Sequence, residues 1–397
     1  MSDRNGLSRM PCRLSEPGIV CSLGDTLDDI AEALFTGRRG LPVSDAFTPG
    51  RALPLGQVTA PLPDTRDWPM EHRSRNNRLL AAALARLGET LERTLAAYDP
   101  SRIGVVCGTS TSGIGETEQV LASVGREAPL PEDFRYARQE LGAPARFLAE
   151  RLGIAGPVYA LSTACSSSAR ALASARRLLQ SGECDAVIAG GADSLCRLTV
   201  NGFASLEAIS DAPSLPFSVN RRGINLGEAA ALFIVTRESG GIQLEGAGES
   251  SDAYHVSAPR PDGSGALAAM CAALAQAGRT PSEIDYLNLH GTGTAHNDSM
   301  EAQAVSELFA TPPPCSSTKA LTGHTLGAAG ALEAAFCWLA LRHGKRPLHV
   351  FDGHYDPALP ALPLVMDIQG EPPRLALSNS FAFGGNNAAL LLGRAEA

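Results

Sequence analysis

Hydrophobic residues recur at helical spacing in four stretches, residues 77–97, 166–181, 265–278 and 327–343. They also cluster in five short runs, 102–109 (RIGVVCGT), 185–191 (DAVIAGG), 229–236 (AAALFIVT), 286–290 (YLNLH) and 388–393 (AALLLG). Apolar positions three and four apart predict helices with one buried face, and the short runs predict strands. Gly182, Gly278 and Gly344 stand just past three of the helical stretches, where a left-handed cap ends a helix. Strands alternating with helices predict an α/β fold with parallel strands. Two proline-rich connections, 41–69 and 356–373, read as long ordered surface loops. A loose duplication is also visible. In each half a strand and turn lead into an Ala-rich helix, at 161–181 and again at 315–343, so the chain is expected to divide into units 1–240 and 241–397.

Composition narrows the class. With 44% apolar residues among 397, the chain can bury a sizeable core, which excludes a disordered or fibrous protein. No apolar run of about 18 residues occurs, and the N-terminal MSDRNGLSRMPCRLSEPG lacks the apolar centre of a signal peptide. A soluble, cytoplasmic protein without a membrane span is expected. Nine cysteines without CxxC pairs fit reduced thiols rather than a disulfide framework or zinc site. The net charge of −9 argues against nucleic acid as partner, and an acidic partner would need a local basic patch. Of the 33 basic residues 31 are Arg, and one of the two lysines, Lys319, lies in a Gly-rich segment. A lysine there invites a chemical reason, because its pKa is tunable and that of Arg is not.

Four segments carry candidate chemistry. The first, 161–170 (LSTACSSSAR), runs into a helix and puts Cys165 at its start. Unpaired N–H groups there favour a thiolate, so Cys165 reads either as a nucleophile or as a small buried residue in a tight turn. In 288–301 (NLHGTGTAHNDSME), His290 ends a strand beside Gly291 and Gly293, as a site residue or a structural histidine. His296 reads as a surface residue, and metal binding by the two lacks a third ligand at a recognisable spacing. The segment 316–330 (SSTKALTGHTLGAAG) places Lys319 and His324 in one turn, either as functional groups or as a solvated lysine and a structural histidine. The phosphate-binding pattern GxxxxGK followed by Ser or Thr is absent, as is the hydrolase GxSxG elbow. The last, 377–387 (LSNSFAFGGNN), is a small-residue turn with two phenylalanines. A thiol, two histidines and a lysine together suit acyl transfer followed by carbon–carbon bond formation.

These motifs, TACSSS at Cys165, PFSVNRRGINLGEAA from Pro216, HGTGT at His290, TKALTGHTLGAAG from Thr318 and NSFAFGG from Asn379, resemble the elongating β-ketoacyl-acyl carrier protein synthases. The resemblance implies a thiolase-like fold, two similar halves of mixed sheets and helices in layers. It also implies a decarboxylative Claisen condensation in fatty acid, aryl polyene or polyketide biosynthesis. By the same resemblance Cys165 is the acylated nucleophile, and His290 and His324 bind the malonyl thioester and stabilise the enolate. The N–H groups of Cys165 and Phe383 form the oxyanion hole, Phe383 also gates the site, and Lys319 supports the second histidine. Glu301 organises this network, and Thr292 and Thr294 bind the pantetheine arm. No organic cofactor is implied, since phosphopantetheine arrives on the carrier protein. A structural monovalent cation would use Asn288, Glu333, Ser378 and Asn379.

The expected partner is an acyl carrier protein, docking on a patch of Arg73, Arg75, Arg78 and Arg221, whose other reading is a solvated helix face. The expected assembly is a homodimer, or a heterodimer with a chain-length-factor-like subunit. A non-catalytic chain-length factor is the rival reading, against which Cys165 and both histidines speak. A thiolase would carry a second cysteine after Leu375, and a priming synthase would replace one histidine by Asn. The family's GFGGTN reads AFGGNN here, with Ala382 and Asn386, its GEGA reads GEAA at residues 227–230, and the N-terminal CRLSEPGIVCSLG is atypical.

Overall fold

The computed structural model describes residues 10–124 and 129–395. The predicted strands form as Ile103–Gly108, Ala186–Asp193, Ala229–Thr236, Tyr286–Asn288 and Asn386–Arg394. In Ile103–Gly108, Ala186–Asp193 and Ala229–Thr236 every residue is buried, as continuous apolar runs require when both sheet faces are covered.

The sheet runs Cys315–Ser316, Tyr286–Asn288, Leu375–Ala382, Asn386–Arg394, Ile242–Ser251, Arg13–Leu14, Ala229–Thr236, Ala186–Asp193, Ile103–Gly108, Val158–Leu161, with Gly18–Cys21 also on Ala229–Thr236. Five strands on each side follow one path: in chain order, the first lies beside the fifth, then come the fourth, second and third. Arg13–Leu14 pairs antiparallel with both Ala229–Thr236 and Ile242–Ser251 and joins the two sets.

The sheet is mixed, as the resemblance implies. Ile103–Gly108 is parallel to both its neighbours, but Ala186–Asp193 and Leu375–Ala382 each meet their next strand antiparallel. Only the short turn Phe383–Gly385 separates Leu375–Ala382 from Asn386–Arg394, too little chain for a parallel crossover.

Two helices, Ser167–Gln180 and Ala329–His343, lie between the two sets of strands and touch each other. Ala329–His343 is buried from Ala329 through Leu341, so it is apolar all round rather than on one stripe. A Cβ on Gly330 would stand 2.5 Å from the Ala169 nitrogen, so backbones meet where these helices cross. Arg75–Arg86 and Ala143–Leu152 cover the outer face of the first set, and Ser264–Ala277, backed by Ala295–Leu308, covers the second. The layers alternate helix, sheet, helix, sheet, helix.

The stretch 77–97 is two helices, Arg75–Arg86 and Gly88–Ala97, because Gly88 takes a left-handed φ of 48°. Gly278 and Gly344 are left-handed C-caps, and Gly182 takes φ 75° just after Ser181. The connection 41–69 carries one small strand pair, Val43–Ser44 with Leu53–Pro54.

Candidate active site

Val158–Leu161 leads to Cys165 through Ala164, whose φ of 51° costs a non-glycine residue about 1–2 kcal/mol. This tight turn aims the thiol at the second set of strands before Ser167–Gln180 begins. There His324 Nε2 stands 3.0 Å from Cys165 Sγ. Ligating atoms of Cys165, His290 and His324 all lie within 4.8 Å of one another, and the rings of the two histidines meet edge-on at 5.3 Å. All three side chains are buried, at 5%, 1% and 2% exposure.

Burial decides the electrostatics. It pushes the Cys165 thiol up to about 11, against the pull of Lys319 and of the Phe383 and Cys165 N–H groups. The thiolate expected from the helix start is therefore not the resting form, because desolvation outweighs the helix end. Burial and the Lys319 charge hold both histidines well below the usual value, so His324 is a neutral base in contact with a neutral thiol. The N–H groups of Phe383 and Cys165 both lie close enough to the sulfur to lower its pKa. The Phe383 ring stacks on Phe203 at 5.5 Å.

Around His290, the Glu301 carboxylate accepts from the His290 N–H and the Gly291 N–H, both at 2.7 Å, and from Asn379 Nδ2 at 3.1 Å. Lys319 Nζ lies 3.3 Å from His290 Nδ1 and pairs with the buried Glu333 carboxylate. The lysine thus serves the first histidine rather than the second, contrary to the expectation. An ammonium only donates, so Nδ1 accepts and the ring proton sits on Nε2. Burial raises Glu301 and Glu333 to about 7, opposed in part by Lys319. The hydroxyls of Thr292 and Thr294 are 3.0 Å apart on the loop between His290 and the helix Ala295–Leu308.

A sequence profile described as the β-ketoacyl synthase N-terminal domain matches residues 67–240, and one described as the C-terminal domain matches 242–350. The chain belongs to the β-ketoacyl synthase family. It is 30% identical to 3-oxoacyl-acyl-carrier-protein synthase 2 of Synechocystis over 94% of this chain and 95% of that one. It is 37% identical to the mitochondrial 3-oxoacyl-acyl-carrier-protein synthase of Arabidopsis thaliana over 61% of this chain, spanning 57% of that relative's length. A chain of the solved ketosynthase ApeO in complex with its chain length factor ApeC, from Xenorhabdus doucetiae, superposes with a TM-score of 0.92 at 46% identity, covering 100% of both chains.

This family member uses its candidate docking arginines internally. Arg75 pairs with the fully buried Glu228, and Arg78 donates to the carbonyls of Pro63 and Leu62. Arg73 donates to those of Trp68 and Arg66, and Arg221 bonds Asp356 at 2.6 Å and the Ser218 carbonyl at 2.8 Å. Each has a partner within the chain, so the four do not form a free basic face. Arg222, beside them, is exposed, and so is His296.

Of the candidate cation ligands, Glu333 Oε2, Ser378 Oγ and Asn379 Oδ1 are buried without a hydrogen-bond partner, and Asn288 Oδ1 accepts only a 3.5 Å contact from Tyr286. Unpartnered oxygens of this kind fit a hard monovalent cation. Sequence reasoning missed Asp193, whose buried carboxylate accepts from Thr109, Ser110, Thr111 and Gly327. An acidic residue closing an otherwise apolar strand, GGAD, was the available signal. Among the described residues no helix is long and apolar enough to cross a membrane.

Proposed function

We propose that the protein is a β-ketoacyl-acyl carrier protein synthase acylated on Cys165. The contact of a buried thiol with a neutral imidazole, beside a second histidine, is the observation that carries this reading. Cys165 passes its proton to His324 Nε2 as Sγ attacks the acyl thioester. The pantetheine sulfur leaves and recovers that proton. Malonyl carrier protein then enters along Thr292 and Thr294, and the Nε2–H of His290 hydrogen-bonds its thioester carbonyl, as does that of His324 once its single ring proton has moved from Nδ1 to Nε2. Its bond to the carboxylate breaks, carbon dioxide departs, and the electron pair becomes an enolate stabilised by those bonds. The enolate attacks the acyl carbon, and the N–H groups of Cys165 and Phe383 hold the oxyanion. Collapse expels the Cys165 thiolate, which takes a proton from solvent. Incubation with acylated carrier protein should add the acyl mass to Cys165. An adduct that survives Cys165→Ala refutes the assignment.

A chain-length-factor-like role is not favoured, because the three reacting groups are complete and in contact. Partnership with such a subunit is part of the proposal. The outermost strand Val158–Leu161 leaves four partly exposed apolar residues and an open ladder edge just before Cys165, and the ApeO ketosynthase was solved with its chain length factor. Ala382 and Asn386, where the motif departs from GFGGTN, favour specialised products such as aryl polyenes or polyketides. Native mass spectrometry that finds only a monomer would refute any such assembly. Asn288, Glu333, Ser378 and Asn379 would hold a monovalent cation as a structural ion, and a melting temperature indifferent to potassium would exclude it. A cytoplasmic location, supported by nine unpaired cysteines, is testable by cell fractionation.

A further inference from the structure

The two sets of strands follow the same path, so the loop after Ile103–Gly108 corresponds to the loop after Tyr286–Asn288. A buried carboxylate holds each. In the second half Glu301 receives the N–H groups of His290 and Gly291 at 2.7 Å. In the first half Asp193 receives those of Ser110 at 2.9 Å and Thr111 at 3.1 Å, with the hydroxyls of Thr109 at 2.6 Å, Ser110 at 2.5 Å and Thr111 at 3.0 Å.

Asp193 makes one further bond. Its Oδ2 accepts the Gly327 N–H at 2.6 Å, three residues beyond His324. Between them Leu326 takes a φ of 50°, a left-handed conformation that a branched side chain holds only when its surroundings over-determine it. The bond from the next residue supplies that constraint. A Cβ on Gly327 would meet Asp193 Oδ2 at 2.7 Å and Ser110 N at 2.6 Å, so the turn is seated directly on the carboxylate.

We infer that Asp193 is a positioning residue for His324: it clamps the loop 109–111 of one half to the turn 324–328 of the other and so sets the Cys165–His324 contact. Glu301 does the same for His290, and each histidine of the site is then located by its own buried acid.

Asp193→Asn keeps the shape but turns an amide N–H toward one of these donors. Turnover should fall roughly 10- to 100-fold with KM for malonyl carrier protein changed less than about threefold. Alkylation of Cys165 by iodoacetamide discriminates further. The groups facing the thiol are Lys319, His290, His324 and Asp193, and the Asp193 charge raises the thiol pKa. Loss of that charge alone would move alkylation to lower pH, whereas loss of His324 placement slows it and moves it to higher pH. A shift to lower pH, or a folded variant with parental turnover and profile, overturns the inference. If Asp193→Asn does not fold, Gly327→Ala carries the test, because its methyl lifts the same turn from the carboxylate. Parental turnover in that variant overturns the inference as well. The turnover arm rests on the ketosynthase reading, but alkylation needs no carrier protein. A parent enzyme that alkylates normally and takes no acyl group refutes that reading and not the role of Asp193.

Discussion

Lys319 Nζ stands 3.3 Å from His290 Nδ1 while pairing with Glu333, so the lysine and the first histidine form one buried hydrogen-bonded unit. At 2% exposure the site has no room for the larger, planar guanidinium. Lys319→Arg, although it keeps the charge, should slow malonyl decarboxylation about 100-fold. Carbon dioxide release from malonyl carrier protein measures this, and a rate near the parental one would show that charge alone suffices.

The Cys165 thiol, raised to about 11, depends on His324 for its reactivity at neutral pH. His324→Ala should lower iodoacetamide alkylation of Cys165 by roughly tenfold or more. Cys271, exposed on the surface, should react unchanged and serves as the internal control. Equal rates at Cys165 in parent and variant, read by peptide mass spectrometry, would remove His324 as the base.

Glu301 has its folded pKa raised by burial from 4.5 to about 7. The folded state therefore binds a proton more tightly than the unfolded chain. Stability from this group is full below about pH 4.5 and is lost as pH rises through about 7. Glu301→Gln cannot ionise, so its stability relative to the parent should improve from about pH 5 to about pH 7 and level off above that. Paired thermal melts across that window check it, and a difference that stays flat would mean Glu301 keeps an ordinary pKa.

Arg75 is the partner of a carboxylate with no solvent exposure, and that carboxylate also accepts from the N–H groups of Val58 and Leu195. Arg75→Ala leaves Glu228 charged and buried, and should cost about 3 kcal/mol of stability. The loss should appear in denaturant melts, while the salt dependence of carrier binding stays close to parental. The reverse pattern would restore Arg75 to a docking surface.

Much of this site was legible in the chain. Cys165, His290, His324, Lys319 and Glu301 all sit in distinctive motifs, small hydroxyl residues around Cys165 and glycines around the others, and the structure brings all five together. The helical stretches and strand runs were legible for a similar reason, because hydrophobic period and capping glycines act over a few residues. The break at Gly88 was not, since Gly88 takes its left-handed turn inside a continuous apolar pattern. Nor was the role of Asp193, whose donors lie 82 to 134 residues away.

The sequence by itself determined where helices and strands form and which few residues could do chemistry, because those properties depend on the local backbone and on residue type. Only the tertiary structure decided which strands run antiparallel, that Lys319 serves His290, that the thiol rests protonated, and that four arginines serve the fold. Those outcomes come from burial and from charges brought within a few ångströms across long stretches of chain. Desolvation and hydrogen bonding act over that distance in space, whatever the separation along the sequence.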